Sequence, residues 1–315
     1  MLKIAVAGVG GISGAHIPCW QEMNETELTA ICDIRPEQME KYDGVKKYTD
    51  LNEMLDQEHI DILDICLPTY LHADTAVKAM DRGIHVLCEK PVSLKKEDAV
   101  RVYEAARKNN VRFMVAHVLR FWREYVFVKE IYDSGKYGKL LSGNMSRIGV
   151  RPKWSWDNWM MDENRSGLVP FDLHIHDLDY MVYVFGKPVN VTCFRAQHPQ
   201  QDYLNVTYQF GDFFINSEAA WYDSPYPFTA SFRFQFEKAV IAMEGGKLTV
   251  YEQSGNIYDL QDNGEKKDTG SINLPKSDAY ANEIRYFTEC VLSGKNADIV
   301  KPWELETVID ILHTL

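Results

Sequence analysis

Lys90, in the stretch "CEKPVSL", and the segment "DLHIHD" from Asp172 to Asp177 hold the residue types best suited to chemistry. A lysine can donate a hydrogen bond and a positive charge to an oxygen that is gaining negative character. A histidine can take up or return a proton near neutral pH. Asp172 and His176 are four residues apart, so on a helix they share one face. His174 then lies about 200° around the axis from Asp172. A metal site built from Asp172, His174, His176 and Asp177 therefore needs an extended segment, and a helix makes the groups diverge; no metal is expected. Spacing alone leaves two plainer readings open. Asp172 and His176 read equally as a polar helix face, and Lys90 as a solvated lysine before a proline.

Such residues acquire a task only if the fold brings a reactive group to them. "VAGVGGISGAH", residues 6 to 16, follows an apolar strand and opens an apolar helix. In that context Gly8 makes a tight turn and Gly10 lets the backbone approach a pyrophosphate, with Gly11 and Ile12 completing the loop. Ser13 stands at the third fingerprint position in place of glycine, where the requirement is close helix–strand packing. The helix N-terminus adds N–H groups and a partial positive charge. Asp33 ends the second strand, placed to accept hydrogen bonds from both ribose hydroxyls of an adenosine and to repel a 2′-phosphate. NAD is the expected cofactor, and nearby Arg35 keeps NADP as an alternative.

Six strand candidates alternate with helical patterns through residues 1–119: the apolar runs "LKIAVAG", "ELTAICD", "IDILDICL", "IHVLCEK" and "VRFMVAH", and "VKKY" as a short third strand. This alternation predicts an α/β fold, a doubly wound parallel sheet of the Rossmann type. Ligands of such sheets lie beyond the carboxyl ends of the strands. Strand four ends at Leu67, Pro68 and Thr69, with His72 following; strand five ends at Glu89, Lys90 and Pro91. These tips, Pro91 apart, are assigned to the cofactor, and Lys90 is expected to project toward the nicotinamide.

From residue 120 to 315 the texture changes to period-two runs, which predict a second α/β domain with an open, mainly antiparallel sheet. "LNVTYQFGDFFINSEAAWY" reads as a hairpin turning at Gly211-Asp212. "FTASFRFQF" puts Phe228, Ala230, Phe232, Phe234 and Phe236 on one face, which reads as sheet core or a subunit interface. Substrate-side candidates are His117 and Arg120, at the exit of the last parallel strand, and Trp154 and Asp157 in "RPKWSWDNW". The tryptophans there read equally as braces for a loop.

A net charge of −12 argues against nucleic acid, whose phosphates need clustered Lys and Arg. Apolar runs of about eighteen residues are missing, so no membrane span is expected. The six cysteines are scattered without a C-x-x-C pair, and "MLKIAVAGVGG" breaks at Gly8, too early for a signal peptide. A cytoplasmic protein is expected. The sequence stops within an apparent helix, "WELETVIDILHTL", so further chain is expected beyond it, and this last helix is a candidate to pack back on the first domain.

Taken together, "GVGGISGAH", "CLPTYLHAD", "EKPVSL", "HVLRFW" and "DLHIHDLDYMVYVFGKP" resemble the glucose–fructose oxidoreductase, inositol dehydrogenase and rhizopine catabolism group, the Gfo/Idh/MocA family. The resemblance covers nearly the whole chain. It implies a catalytic set of Lys90, Asp172 and His176, a cis bond before Pro91, and a second domain that mediates homodimers or homotetramers. It also implies hydride exchange between the nicotinamide and a secondary hydroxyl of a sugar or polyol bound between the domains. His176 would serve as general base, Lys90 would stabilise alkoxide character, and Asp172 would orient the substrate. One departure is "RSGLVPFD", where members commonly carry further glycines before the aspartate. Two alternatives stand beside net dehydrogenation. One is transient oxidation with recycled NAD, enabling elimination, hydrolysis or epimerisation; the other is a nucleotide-binding sensor without chemistry.

Overall fold

The computed structural model describes residues 1–260 and 277–315. They form two compact units: Met1–Val118 with the described residues of Lys266–Pro302, and Leu119–Glu265, as far as described, with Trp303–Leu315.

The first unit is built from β1 (Leu2–Ala7), α1 (Ser13–Glu22), β2 (Thr26–Cys32), β3 (Lys46–Tyr48), α2 (Leu51–Gln57), β4 (Ile62–Ile65), α3 (His72–Met80), β5 (His85–Glu89), α4 (Lys96–Lys108) and β6 (Phe113–Ala116). All six strands pair in parallel, in the order β3-β2-β1-β4-β5-β6. β4 and β6 are buried along their whole length, as expected when helices cover both faces of a parallel sheet. The expected Rossmann architecture is thus present, and strand order reverses between β1 and β4, at the end of the glycine turn. Asp50 caps α2 by accepting from the N–H groups of Asn52 and Glu53. "PEQMEKY" makes only a 3₁₀ turn, Pro36–Met39, since so short a segment cannot repay helix nucleation.

The second unit opens with α5 (Arg123–Ser134) and β7 (Leu140–Val150), then α6 (Glu163–Ser166) and α7 (Ile175–Phe185). The remaining strands are β8 (Asn190–His198), β9 (Gln201–Phe210), β10 (Phe213–Tyr222), β11 (Thr229–Phe236), β12 (Ala239–Glu244), β13 (Lys247–Glu252) and β14 (Ile257–Asp259). They form one sheet, β14-β13-β12-β11-β7-β10-β9-β8, antiparallel except where β7 pairs with β10. The expected hairpin joins β9 and β10 across Gly211-Asp212. Of the aromatic stripe, Phe232, Phe234 and Phe236 are buried, and Phe228 and Ala230 are half-buried. Tyr125 of α5 meets Phe232 at 5.1 Å between ring centroids, and Phe185 of α7 meets Phe234 at 5.9 Å. The stripe is therefore core, each ring contributing about 1.5–3 kcal/mol by burial.

Among the described residues, two helices follow the sheet. α8 (Ala279–Ser293) packs on α1 in the first unit, where the Tyr103 hydroxyl also donates to the Val300 carbonyl at 3.3 Å. α9 (Pro302–Leu312) belongs, Pro302 apart, to the second unit.

Candidate active site

Gly8 has φ +91°, and a Cβ there would lie 2.5 Å from the Cys66 carbonyl oxygen and 2.9 Å from the Leu67 nitrogen. Glycine is demanded twice over, by the left-handed backbone and by contact with the chain leaving β4. Gly10 differs: a Cβ there would meet no atom of the described residues within 4 Å. Packing of the protein does not keep Gly10 small, and an open face at this turn suits a pyrophosphate. Ser13 is buried, and its hydroxyl closes the loop by donating to the Gly10 carbonyl at 2.8 Å. Among the described residues no side chain caps α1, which starts after apolar Ile12; the Gly14 and Ala15 N–H groups turn back to the Gly11 and Ile12 carbonyls at 3.1 and 2.9 Å.

Asp33 holds the other side of the turn. Its Oδ2 accepts the Val9 N–H at 2.8 Å, and its Oδ1 accepts the Arg35 N–H at 2.9 Å and the Arg35 Nε at 3.3 Å. A carboxylate has about four acceptor positions, so lone-pair capacity remains for a ribose hydroxyl. The turn and the acid thus fit the adenosine pyrophosphate half of a dinucleotide.

The tips of β4 and β5 lie side by side in the same sheet. His72 ties them together: Nδ1 is 2.7 Å from the Pro91 carbonyl oxygen and Nε2 is 2.7 Å from that of Leu67. Burial lowers the His72 pKa, although both carbonyls favour the protonated ring. Thr69 is buried, while Leu67 and Pro68 are half-buried. Lys90 is half-buried, and its peptide bond to Pro91 is cis, as the resemblance implies. His117 is buried just past β6.

Beneath these tips is a group that the sequence reading did not single out. His16 of α1 is fully buried, with Nδ1 2.9 Å from Asp64 Oδ2 and Nε2 3.1 Å from Glu89 Oε1. Trp20 Nε1 donates to the same Asp64 oxygen at 2.7 Å, and the Cys66 thiol faces Oδ1 at 3.7 Å. Ligand-type atoms of His16, Asp64 and Cys66 lie within 4.8 Å of one another. Burial pushes the Cys66 thiol up to about 12, and His16 and Asp64 are already bonded to each other, so the cluster reads as a hydrogen-bonded network. The signal in the sequence was Asp64, an acid inside the four-residue apolar strand "ILDI".

In the second unit Asp172 and His176 are both half-buried, while His174, Ile175 and Asp177 between and beside them are buried. The segment Pro170–His174 is a π-type turn, not the regular α-helix expected, because the Ile175 N–H reaches back to the Pro170 carbonyl. His174 points to Tyr208, Nε2 lying 2.6 Å from the phenol oxygen, and its pKa falls to about 3 through burial and the nearby Arg147 charge. Asp177 points to Arg147, accepting two bonds at 2.8 and 3.0 Å. The four metal-type side chains of "DLHIHD" therefore do not converge. Upstream, Gly167 and Leu168 both have positive φ, +72° and +54°. A Cβ on Gly167 would strike Phe171 at 2.5 Å, whereas Leu168 carries a side chain in the left-handed conformation that further glycines would adopt without strain.

Arg120, read from sequence as a substrate contact, is buried and bound elsewhere. Its Nε and Nη2 donate to Asp179 at 2.9 and 2.6 Å, Nη1 donates to Glu304 at 2.6 Å, and its guanidinium covers the Tyr183 ring at 4.4 Å. Trp154 is 66% exposed, and Asp157 pairs with Arg165 at 2.9 Å.

Residues 2–117 match the model of the oxidoreductase family with an NAD-binding Rossmann fold, and residues 125–243 match the GFO/IDH/MocA C-terminal domain. The chain belongs to the Gfo/Idh/MocA family. A myo-inositol 2-dehydrogenase of Thermotoga maritima is 30% identical over 193 residues, 60% of this chain and 56% of that protein. A 2,7-anhydro-N-acetylneuraminate hydratase of Mediterraneibacter gnavus is 28% identical over 173 residues, 52% of this chain and 46% of that one. The chain spans about half the length of the curated relatives it matches. A solved levoglucosan dehydrogenase, in complex with NADH and levoglucosan, superposes with a TM-score of 0.83 at 18% identity, covering 99% of this chain and 96% of that one. At that identity the likeness is one of fold. No helix among the described residues of this Gfo/Idh/MocA chain is long and apolar enough to cross a membrane.

Proposed function

We propose that the chain is an NAD-dependent dehydrogenase that exchanges a hydride with a secondary hydroxyl or ketone of a sugar, polyol or sugar derivative. The observation that carries this reading is the shared sheet edge. The glycine turn after β1 and Lys90 after β5 leave the carboxyl ends of strands separated only by β4. Gly8, Gly10, Gly11, Ile12 and Ser13 would hold the pyrophosphate, and Asp33 the adenosine ribose. Leu67, Pro68, Thr69 and the Glu89-Lys90 tip would border the remainder. Arg35 is folded onto Asp33, which supports NAD over NADP. When bound, the nicotinamide supplies a two-electron acceptor.

The roles of the chain's own residues follow from their chemistry. Lys90 donates a hydrogen bond to the reacting oxygen and offsets charge as alkoxide character develops. His176 takes the hydroxyl proton, and Asp172 orients the substrate. Trp154, Asp157 and His117 are proposed substrate contacts. The protein is proposed to act as a homodimer or homotetramer in the cytoplasm, with its six cysteines free.

The experiment is a panel of polyols, aldoses and glycosides with NAD and NADP, followed by NADH absorbance and by mass spectrometry. A wild-type signal that falls about 10²–10⁴-fold in His176→Ala and in Lys90→Met supports the assignment. Undiminished turnover in either variant refutes the role of that residue, and NADH binding without turnover on any compound favours a sensor. The relative named as a hydratase favours one second reading, transient oxidation with recycled NAD. Product formation without net NADH would select it.

A further inference from the structure

Three carboxyl or imidazole groups stand in line under Lys90 within the first unit. Asp64 binds His16, His16 binds Glu89, and Glu89 Oε2 accepts the backbone N–H of Lys90 at 3.0 Å. An ionised carboxylate only accepts, so a ring facing two of them serves both only by donating from both nitrogens. Asp64 is held as an acceptor by Trp20 and the Cys66 thiol as well as by His16. From the helix packed on α1, the Tyr280 ring of α8 approaches His16 at 5.7 Å between centroids. The ring is therefore held by two carboxyl groups from the strands and flanked by the tilted Tyr280 ring.

We propose that His16 is a positioning residue for the reaction: held between Asp64 and Glu89, it fixes the Glu89 carboxylate that anchors the Lys90 backbone, and so sets where the Lys90 side chain points. The proposal rests on the role assigned to Lys90 above. It joins α1, whose first turn borders the glycine loop, to the strand tip that carries the lysine, so that two parts of one site share a support. Burial opposes a charge on His16, yet Asp64 beside it raises its pKa well above the usual histidine range. Burial would likewise raise Glu89, but His16 and Lys90 outweigh it and hold the acid low. Both directions agree with an imidazolium between two carboxylates. Such a trio is costly to bury and gives little net stability, so a role in placement explains its geometry better than one in folding.

The test compares crystal structures and kinetics of the wild type and His16→Gln, with thermal melting to establish folding. In the variant, the Glu89–Lys90 bond is expected to be lost and Lys90 Nζ to move by about 1 Å or more. A misplacement of that size lowers kcat by up to about a hundredfold. NADH affinity, read by fluorescence titration, stays within about threefold of wild type. A variant in which Glu89 and Lys90 superpose on the wild type overturns the proposal, whatever the kinetics. Should His16→Gln fail to fold, Asp64→Asn keeps the strand's shape, removes one of the two charges gripping the ring and is judged by the same displacement. Lys90→Met separates the two ideas. If it retains turnover, the assignment of Lys90 fails; if it loses turnover while His16→Gln keeps both geometry and rate, only the positioning role fails.

Discussion

A Cβ on Gly8 would sit 2.5 Å from the carbonyl oxygen of Cys66, so the turn after β1 is pressed directly against the chain leaving β4. Because the obstacle is backbone, no rotamer change relieves it. Gly8→Ala adds this clash to a left-handed φ that costs an L-residue about 1–2 kcal/mol. The variant is expected to lose about 3 kcal/mol or more of stability by the size of such mechanisms. Urea unfolding checks the stability, and a midpoint within error of wild type would show that β1 and β4 separate easily.

Asp33 supports the turn and, by proposal, binds ribose, and one substitution can weigh the two roles. Asp33→Asn keeps an oxygen for the Val9 N–H but removes the charge that draws hydroxyl donors and repels a 2′-phosphate. Hydrogen bonds to a charged group are worth about 1.5–3 kcal/mol, so NADH affinity should fall about tenfold to a hundredfold. NADPH affinity should fall less or rise. Fluorescence titration of both nucleotides against the two proteins decides. Equal losses for NADH and NADPH would mean that the acid serves the turn alone.

The six-stranded sheet was legible because short, mostly apolar runs alternate with helical patterns, a texture that burial of the central strands on both faces imposes, although the edge strand Lys46–Tyr48 is largely exposed. Gly8 was legible for a related reason, since a turn between such a strand and a helix leaves few residue choices. The β9–β10 hairpin and the Phe232, Phe234 and Phe236 stripe followed from period two. What escaped were pairs separated widely in sequence. Asp64 announced a need for a partner, but its neighbour His16 lies 48 positions away, and nothing local names it. Arg120 stands at a strand exit where a substrate contact is plausible from position, yet Asp179 and Glu304, 59 and 184 positions on, take its guanidinium. The parallel pairing of β7 with β10 and the packing of α8 on α1 escaped likewise, because sequence patterns show which face is apolar and not what it meets. The π-type turn at Pro170–His174 escaped too, since an i→i+5 bond leaves no mark on apolar spacing.

Arg120 is the test of that lesson. Its side chain is fully buried between two carboxylates, and removing one member of such a group leaves uncompensated charge worth about 3–5 kcal/mol. Arg120→Lys keeps the charge but loses the two-pronged grip on Asp179 and the stacking on Tyr183, so a smaller loss, about 1–3 kcal/mol, is expected. NADH affinity should be unchanged. A variant of wild-type stability with a raised KM would instead restore Arg120 to the substrate.

His174 makes the second unit sensitive to acid. Among the described residues its Nδ1 has no hydrogen-bond partner, and its Nε2 faces the Tyr208 hydroxyl, so the folded site holds a neutral ring with a pKa of about 3. An unfolded chain protonates this histidine near 6.5. Between those two values the unfolded state binds a proton that the folded state refuses, and stability falls as pH is lowered. The slope approaches 1.4 kcal/mol per pH unit, or roughly 2 kcal/mol from pH 6.5 to 5. His174→Gln offers a neutral amide to Tyr208 and has nothing to protonate. It should start less stable at pH 7.5 through imperfect packing, yet lose about 2 kcal/mol less than wild type on going to pH 5. Denaturant midpoints at the two pH values measure the difference, which cancels the acid groups common to both proteins. Parallel losses would place the His174 pKa near its ordinary value and imply that water reaches the ring.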